Sequence, residues 1–325
     1  MRSLVCKTYG APETLVLEEC DNPIPDDDEV LVDVAAAGIN YPDILVIAGQ
    51  YQDKTPPPFV PGNEASGVIS AIGKNVSRFA VGDAVVVTPR GGAFAEKCTV
   101  NENAVTTLPD DMNFEQGAGY AVAYGTSFHA LRQCAALQPG ETLLVLGAAG
   151  GVGIAAVQIA KSMGATVIAA ASSQTKLDFA RTAGADETIN YSTQPLKETV
   201  RHLTQDKGVD VVYDPVGGDL AQQALRALAW QGRHLVVGFA SGEIPKFPAN
   251  IALLKEAKIV GVWWGTWAKR NPLRQIENMQ ELAKLVATGK IHPQVTESFA
   301  LDNFAKAFAV ITERRALGKV VLTMS

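Results

Sequence analysis

The stretch TLLVLGAAGGVGIAAVQIAKSM, residues 142–163, carries the strongest fold signal of the chain. Thr142–Leu146 is an apolar run with the length of a buried strand, and apolar residues recur at helical spacing from Val152 to Met163. The glycines of the intervening segment Gly147–Gly153 allow a tight turn and let a phosphate group approach the backbone. A strand, a glycine turn and a helix in this order predict a dinucleotide-binding unit.

Strand and helix patterns alternate after this stretch. Further strands are predicted at Thr166–Ala171, Glu187–Asn190, Val209–Asp214, His234–Phe239 and Lys258–Trp263. The helices between them are predicted at Thr175–Thr182, Leu196–Gln205 and Leu220–Trp230. Six strands with intervening crossovers predict an α/β fold with a Rossmann doubly wound parallel sheet.

The two ends of the chain have a different composition. Residues 1 to about 122 hold short β-rich runs broken by glycine and proline, which is typical of a small irregular β structure. After residue 265 the pattern returns to helix and strand, in a segment too short for a domain of its own. We therefore expect one discontinuous domain of residues 1–122 and 266–325, and a dinucleotide-binding domain of residues 123–265.

Composition excludes several classes of protein. The chain has 325 residues and a net charge of −6, which argues against a nucleic-acid partner or a polybasic membrane binder. The charge-free segment Leu143–Ala160 contains clustered glycines that suit a turn better than a membrane span. The four cysteines have neither disulfide-scaffold nor CxxC spacing. Reduced thiols and a cytoplasmic location are the expectation, with no membrane association.

The end of the second predicted strand discriminates between NAD and NADP. A carboxylate about 20 residues after the glycines would bind the ribose 2′-hydroxyl of NAD. The chain has Ser172, Ser173 and Lys176 there instead, and they could hold a 2′-phosphate. A second interpretation makes Ser173 a helix N-cap and Lys176 a solvated side chain, and both can hold at once. The pattern favours NADPH.

Several motifs, in the same order along the chain, resemble the zinc-independent quinone oxidoreductases of the medium-chain dehydrogenase/reductase superfamily. They are Ala37–Asp43, Pro61–Val68, Val81–Val85, Gly91–Glu96, the glycine turn, Gly184–Tyr191 and Gly318–Val321. The resemblance covers nearly the whole chain. It implies a GroES-like β-rich catalytic domain beside the Rossmann domain, with the cofactor in the cleft between them.

The resemblance also allows a prediction about metal binding. Zinc-dependent relatives use a cysteine, a His-Glu pair and a further Cys or Asp, whereas the matching places here read Ile39-Asn40 and Asn63-Glu64. These residues lack the thiolate and imidazole ligands that zinc prefers. The four histidines are scattered without ligand spacing. No metal is predicted, and Glu64 is expected to be a buried structural carboxylate.

The resemblance implies a set of site residues. Asn40 and Tyr51 are the predicted catalytic residues, as donors to the developing oxyanion, although Tyr51 could instead be an aromatic that only packs. The predicted cofactor contacts are Asn40, Thr126, Gly150, Gly151, Val152, Ser172, Ser173, Lys176, Tyr191, Phe239, Ala240, Ser241, Val262, Trp263, Trp264 and Lys319.

These residues predict an NADPH-dependent reductase of quinones or other conjugated carbonyl compounds, because conjugation delocalises the added charge without a metal. The alternatives are a reductase of enoyl-CoA or enone double bonds, and a low-turnover NADPH-binding sensor. Trp263, Trp264 and Trp267 either floor an aromatic substrate pocket or pack at a subunit edge. A homodimer is expected, since relatives pair the sheet edges of their Rossmann domains.

Overall fold

The computed structural model describes residues 1–324, and the chain folds into two compact units. The first unit consists of Met1–Val122 and the segment from Pro293 onward, and the second is the continuous stretch Ala123–His292. Residues 266–292 therefore belong to the second unit, and our expectation that they join the discontinuous domain was wrong.

The amino-terminal part of the first unit is mostly β structure. Its strands are β1 (Arg2–Val5), β2 (Val16–Glu19), β3 (Glu29–Ile39), β4 (Ala65–Ile72), β5 (Ala84–Val87), β6 (Lys97–Asn101) and β7 (Val105–Thr107). Its two helices are α1 (Tyr41–Ile47) and α2 (Phe114–Ala118).

The second unit alternates helices and strands. The helices are α3 (Ala121–His129), which begins just before the unit, α4 (Gly151–Ser162), α5 (Gln174–Thr182), α6 (Leu196–Leu203), α7 (Gly218–Ala227), α8 (Ala249–Lys255), α9 (Trp264–Arg270) and α10 (Pro272–Ala287). The strands are β8 (Thr142–Leu146), β9 (Thr166–Ala171), β10 (Glu187–Asn190), β11 (Val209–Asp214), β12 (Leu228–Val236) and β13 (Lys258–Gly261). None of the helices formed by residues 1–324 is long and apolar enough to cross a membrane.

The chain then returns to the first unit with β14 (Val295–Ala300), α11 (Phe304–Thr312) and β15 (Lys319–Thr323). Strand β15 pairs with β3 in antiparallel register, so that the first unit contains a seven-stranded sheet with the order β14-β15-β3-β4-β5-β7 and β6 on β3. The apolar core of this sheet includes Phe94 and Phe308, whose rings meet edge to face. The segment from Pro293 onward therefore completes the first unit.

The second unit is built on a six-stranded parallel sheet with the order β10-β9-β8-β11-β12-β13. Leu143–Leu146 of β8 are all fully buried, as expected for a central strand covered by helices on both faces. The sequence order reverses between β8 and β11. This point is the topological switch at which doubly wound sheets bind ligands, beyond the carboxyl ends of the strands.

The last crossover differs from the prediction. Helix α7 ends at Ala227, and β12 runs over Leu228–Val236, whereas the sequence predicted a helix to Trp230 and a strand over His234–Phe239. The apolar pattern of α7 continues directly into the strand with no glycine or proline between them, so no breaker marks the junction. Strand β13 also ends earlier than predicted, at Gly261.

Residues 266–292 belong to the second unit because α9 and α10 pack on α3 and the π-helical turn Ala130–Cys134 that follows it. The Trp264 ring lies against Gly125, where an added Cβ would be 2.7 Å from the indole. Gln133 donates a hydrogen bond to Asn278 at 3.0 Å, and Arg132 forms an ion pair with Glu281.

Candidate functional site

The glycine turn between β8 and α4 is built for a close backbone approach. Gly147 has φ +57°, a conformation that favours glycine, and a Cβ on Gly153 would lie 2.3 Å from the Gly147 carbonyl oxygen. Helix α4 begins at Gly151, and no side chain caps its N-terminus. The first N–H groups of this helix therefore lack intrahelical partners and, with the helix dipole, favour an anion.

Helix α3 packs against the residues that follow the glycine turn. The Ser127 hydroxyl donates to the Val152 carbonyl oxygen at 2.9 Å and lies 2.8 Å from the Tyr213 hydroxyl. Thr126, the neighbouring residue, is half-buried. We had not identified Ser127 or Tyr213 from the sequence, because their contact depends on how α3, α4 and β11 pack.

The predicted 2′-phosphate residues lie together at the carboxyl ends of β9 and β10. Ser173 is the N-cap of α5, with its hydroxyl 3.5 Å from the Lys176 backbone nitrogen. The Lys176 ammonium donates to the Ser172 hydroxyl at 3.3 Å, and the Tyr191 backbone N–H donates to Ala171 at 3.1 Å. The N-cap interpretation of Ser173 is confirmed, and the lysine side chain lies beside the Ser172 hydroxyl.

Two further loops lie beside the glycine turn. The turn after β11 places Val216 against Gly147, where an added Cβ would be 3.0 Å from the valine methyl. The loop after β12 contains Phe239, Ala240 and Ser241, and Ser241 donates its backbone N–H to Val216 at 2.9 Å. Three predicted groups of cofactor residues thus lie on loops at one edge of the sheet.

The tryptophan run occupies three different environments. Trp264 packs on Gly125 and donates to Gln275 at 3.0 Å, whereas Trp267 stacks on the His129 ring with centroids 4.1 Å apart. Trp263 is 52 % exposed. It borders an open cavity of about 500 Å³ with Trp267 and Arg270. Two of the three rings thus contribute to packing within the second unit.

Burial separates the predicted cofactor residues into three groups. Lys319 is buried, Trp263 is exposed, and the remaining residues are half-buried. The half-buried set is Asn40, Thr126, Gly150, Gly151, Val152, Ser172, Ser173, Lys176, Tyr191, Phe239, Ala240, Ser241, Val262 and Trp264.

The first unit contains a buried charge cluster, which we define as Asn40, Asp43, Asn63, Glu64 and Lys319. The Lys319 ammonium donates to the Ile39 carbonyl oxygen at 3.2 Å, to Asn40 Oδ1 at 2.6 Å and to Glu64 Oε2 at 2.9 Å. Lys319 is 4 % exposed and Glu64 is fully buried, which confirms the predicted burial of Glu64. Since an ammonium group has three donors, all of them are used within this cluster.

The same cluster engages the amide of Asn40. Its Nδ2 donates to Glu64 Oε2 at 3.0 Å and lies 3.4 Å from the Gly38 carbonyl oxygen, and its Oδ1 accepts from Lys319. Tyr51 is half-buried just after α1, and its backbone N–H donates to Leu45 at 3.1 Å. Asn40 and Tyr51 therefore flank the two ends of one short helix, and the Asn40 amide is already hydrogen-bonded at both ends.

Asp43 completes the cluster and caps α1. Its carboxylate accepts the Asn40 backbone N–H at 2.7 Å and the Asn63 amide at 2.8 Å. Burial raises the pKa of the Asp43 carboxyl to about 7, against the opposing effects of these hydrogen bonds and the Lys319 charge. We had not selected Asp43 from the sequence, although its position three residues after Asn40 is a capping-box spacing.

The cluster does not suit zinc. Its side chains are amides, carboxylates and the Lys319 ammonium, which already supplies the positive charge of the cluster. Zinc prefers thiolate and imidazole ligands. Within residues 1–324, no group of three or more His, Cys, Asp or Glu side chains could hold a metal ion.

Comparison with protein families matches both units. Residues 26–127 match the alcohol dehydrogenase GroES-like domain, and residues 151–287 match the zinc-binding dehydrogenase family. The second of these names refers to zinc, which the side chains of the buried charge cluster do not suit.

Individual proteins match over nearly the full length. The quinone oxidoreductase-like protein 2 homolog of Nematostella vectensis is 38 % identical over 99 % of this chain and 88 % of its own length. The quinone oxidoreductase of Pseudomonas aeruginosa is 36 % identical over 97 % of each chain.

Solved structures have the same fold. The quinone oxidoreductase of Escherichia coli complexed with NADPH is 29 % identical, with a TM-score of 0.93 over 99 % of this chain and all of its own. The CurK enoyl reductase is 27 % identical, with a TM-score of 0.90 over 100 % of this chain and 99 % of its own. The chain therefore belongs to the quinone oxidoreductase family of the medium-chain dehydrogenase/reductase superfamily of oxidoreductases.

Proposed function

We propose that the chain is an NADPH-dependent reductase that transfers hydride to quinones or other conjugated carbonyl acceptors without a metal ion. The observation that carries the proposal is the uncapped N-terminus of α4, which follows the glycine turn at the switch point of the parallel sheet. A pyrophosphate bound there would accept hydrogen bonds from the N–H groups of Gly151 and Val152.

The preference for NADPH rests on the end of β9. Lys176, Ser172 and Ser173 bring one positive charge and two hydroxyl groups together. A 2′-phosphate carries negative charge and several acceptor oxygens, so it would form charge-assisted hydrogen bonds with this group. A ribose 2′-hydroxyl would gain much less from the lysine. We assign Tyr191 to the same adenosine subsite.

The remaining assignments follow from the loops at the sheet edge. Thr126 and the loop Phe239–Ser241 are proposed to contact the nicotinamide half of the cofactor, together with Val262 and Trp264. Trp263 is proposed to face the acceptor. We no longer assign Lys319 to the cofactor, because its three donors are used inside the buried cluster.

NADPH supplies the hydride, and the protein orients the acceptor and stabilises the negative charge that develops on its oxygen. The Tyr51 hydroxyl is our preferred donor to that oxygen. The charge cluster holds Asn40 in one orientation, because its amide hydrogens already contact Glu64 and Gly38. A proton from water then completes a hydroquinone, or the reduced product of another conjugated acceptor.

The test is oxidation of NADPH by the purified protein with 1,4-benzoquinone, 9,10-phenanthrenequinone, an alkenal and crotonyl-CoA. Parallel assays use NADH in place of NADPH and include a metal chelator. We expect fast quinone turnover with NADPH, slow turnover with NADH and no effect of the chelator. Tight NADPH binding without oxidation by any acceptor would contradict the proposal and favour a sensor.

Reduction of enone or enoyl thioester double bonds is the second candidate. The structural similarity to an enoyl reductase favours it, and Lys269, Arg270 and Arg274 are exposed cations that a CoA phosphate would attract. Turnover with crotonyl-CoA or the alkenal but with neither quinone would select this candidate.

We also propose that the protein forms a homodimer through the edge strand β13. Among residues 1–324, β12 is the only strand that pairs with β13, so the outer N–H and C=O groups of β13 remain available to another strand. Ile259 on this strand and the nearby Trp263 are exposed apolar residues. Light scattering after size-exclusion chromatography should give twice the mass of the chain, and Ile259→Lys should shift it toward the monomer. A wild-type monomer would contradict this proposal.

A further inference from the structure

A buried carboxylate–imidazole pair lies at the carboxyl edge of the parallel sheet. Asp214 is the last residue of β11, and His234 lies in the neighbouring strand β12. His234 Nε2 is 3.0 Å from Asp214 Oδ2, and the two side chains are 0 % and 1 % exposed. Hydride transfer as proposed above gives this pair no role, so its burial needs another explanation.

The hydrogen-bond network assigns the state of the imidazole. A carboxylate only accepts hydrogen bonds, so Nε2 of His234 carries the hydrogen that points to Asp214. Nδ1 is buried and has no hydrogen-bond partner among the residues that the structure describes. The ring instead meets the Phe247 ring edge to face, with centroids 4.9 Å apart. A hydrogen on Nδ1 would lack an acceptor, so the neutral Nε2–H tautomer fits this environment.

The other oxygen of Asp214 fixes the turn that follows β11. Asp214 Oδ1 accepts the backbone N–H of Val216 at 2.9 Å and that of Gly217 at 2.8 Å. Gly217 and Gly218 have φ +73° and +59°, so glycines let the chain turn back here. Val216, whose backbone N–H this carboxylate accepts, packs against Gly147 of the glycine turn.

The same turn is hydrogen-bonded to the loop after β12. The backbone N–H groups of Val237, Ala240 and Ser241 donate to the carbonyl oxygens of Asp214, Pro215 and Val216 at 2.9, 3.0 and 2.9 Å. Gly218 in turn donates to Glu243 at 3.1 Å. Asp214 thus lies at the base of two loops that are hydrogen-bonded to each other, and its carboxylate is hydrogen-bonded to His234.

We propose that His234 and Asp214 are positioning residues for the dinucleotide. His234 aims the Asp214 carboxylate, and the carboxylate holds the 215–218 turn and the 239–241 loop in the shape that binds the nicotinamide half of the cofactor. This inference rests on the proposed function for the identity of the ligand as NADPH. It adds two residues that do not touch the cofactor themselves.

The first test compares His234→Leu with His234→Gln in the full-length protein. Glutamine can donate its side-chain amide to Asp214, and leucine cannot. We expect the Kd and KM for NADPH to rise about tenfold in His234→Leu, the effect of one lost hydrogen bond to a charged group. The increase should stay within about twofold in His234→Gln, and kcat should fall less than KM rises in both. His202→Gln, at an exposed histidine, is the matched control.

The second test uses Asp214→Asn and the nitrogen spectrum of ¹⁵N-histidine-labelled protein. Wild-type His234 should show the Nε2–H tautomer. In Asp214→Asn, the carboxamide oxygen stays with Val216 and Gly217, so its NH₂ group faces the ring and should shift the hydrogen to Nδ1. A change in the His234 signals when NADPH is added is also expected, because the loops it supports tighten.

The outcomes separate this inference from the proposed function. Equal loss of NADPH affinity in the leucine and glutamine variants would overturn the positioning role, and so would a fall in kcat at unchanged affinity. A wild-type protein that binds NADPH but reduces no acceptor would overturn the proposed function and leave the positioning role standing. A wild-type protein that binds no dinucleotide would overturn both.

Discussion

The two units bury negative charge in different ways. In the first unit, Glu64 accepts the Val122 backbone N–H and is neutralised by the ammonium of Lys319, every donor of which is used. In the second unit, Asp214 is held by two backbone N–H groups and the imidazole of His234, and no lysine or arginine among residues 1–324 is bonded to it. In the first arrangement, all three donors of the ammonium bind groups inside the cluster. The second belongs to a sheet edge where other backbone N–H groups remain available to a ligand.

Breaking the closed cluster should have the largest effect. Lys319→Met leaves the buried Glu64 carboxylate without its counter-charge, so we expect a loss of about 3–5 kcal/mol in the free energy of unfolding. Urea denaturation measures it. Lys319→Met combined with Glu64→Gln should recover part of the loss.

Lys161→Met is the matched control for this variant, because it removes the half-exposed pair with Asp186. The control should lose at most about 1 kcal/mol. Equal losses in the two lysine variants would contradict the view that the buried cluster stabilises the first unit.

The pH dependence of stability should sharpen the same contrast. The pKa of Asp43 is about 7 in the folded protein against 3.8 for the free group, so the folded state keeps a proton that the unfolded state releases. Its contribution to stability is therefore full below about pH 4 and falls as pH rises to about 7. The free energy of unfolding of wild type minus that of Asp43→Asn should fall by about 2–3 kcal/mol between pH 5 and pH 7. A difference that rises over this range would contradict the assignment.

The glycine turn tests the backbone arrangement of the second unit. An added methyl group on Gly153 would lie 2.3 Å from the Gly147 carbonyl oxygen, so Gly153→Ala should lower the free energy of unfolding by about 1–3 kcal/mol and weaken NADPH binding. Gly265→Ala is the control, since nothing lies within 4 Å of its added Cβ. Thermal unfolding and NADPH titration measure both effects. Unchanged NADPH affinity in Gly153→Ala would count against the proposed pyrophosphate site.

The smallest effect is expected at Lys176. Lys176→Met should raise the KM for NADPH about tenfold, the effect of one charged hydrogen bond, and leave the KM for NADH unchanged. Lys176→Arg should keep the preference for NADPH. An equal rise for both cofactors would instead indicate a general disturbance of α5.

The sequence predicted the parts of the molecule that local patterns encode. The strand–turn–helix at residues 142–163 and the order of parallel strands follow from apolar periodicity and glycine spacing, and Ser173 was predictable as an N-cap. The junction of α7 and β12 was not, because the apolar pattern runs through Leu228 without a breaker.

The buried charge cluster needed information that no local pattern contains. Lys319 and Glu64 are 255 positions apart, and they meet because β15 pairs with β3 in a register that places Val320 opposite Ile39. Asp214 is the last residue of one predicted strand and His234 the first residue of the next, and only the observed register of β11 and β12, with His234 opposite Val212, brings them into contact. Pairing between strands that are distant in the sequence therefore determines the contacts of Lys319 with Glu64 and of Asp214 with His234.

The late arrival of strand β15 has a consequence for biosynthesis. The second unit is one continuous stretch, so its fold needs no residue of the segment that begins at Pro293. The first unit has to wait, because two strands of its sheet, β14 and β15, and the partner of Glu64 come from residues made afterwards. During that interval the nascent first unit exposes the edge of β3 and leaves Glu64 without Lys319. A chaperone that covers exposed strand edges would be most useful to this protein at that stage.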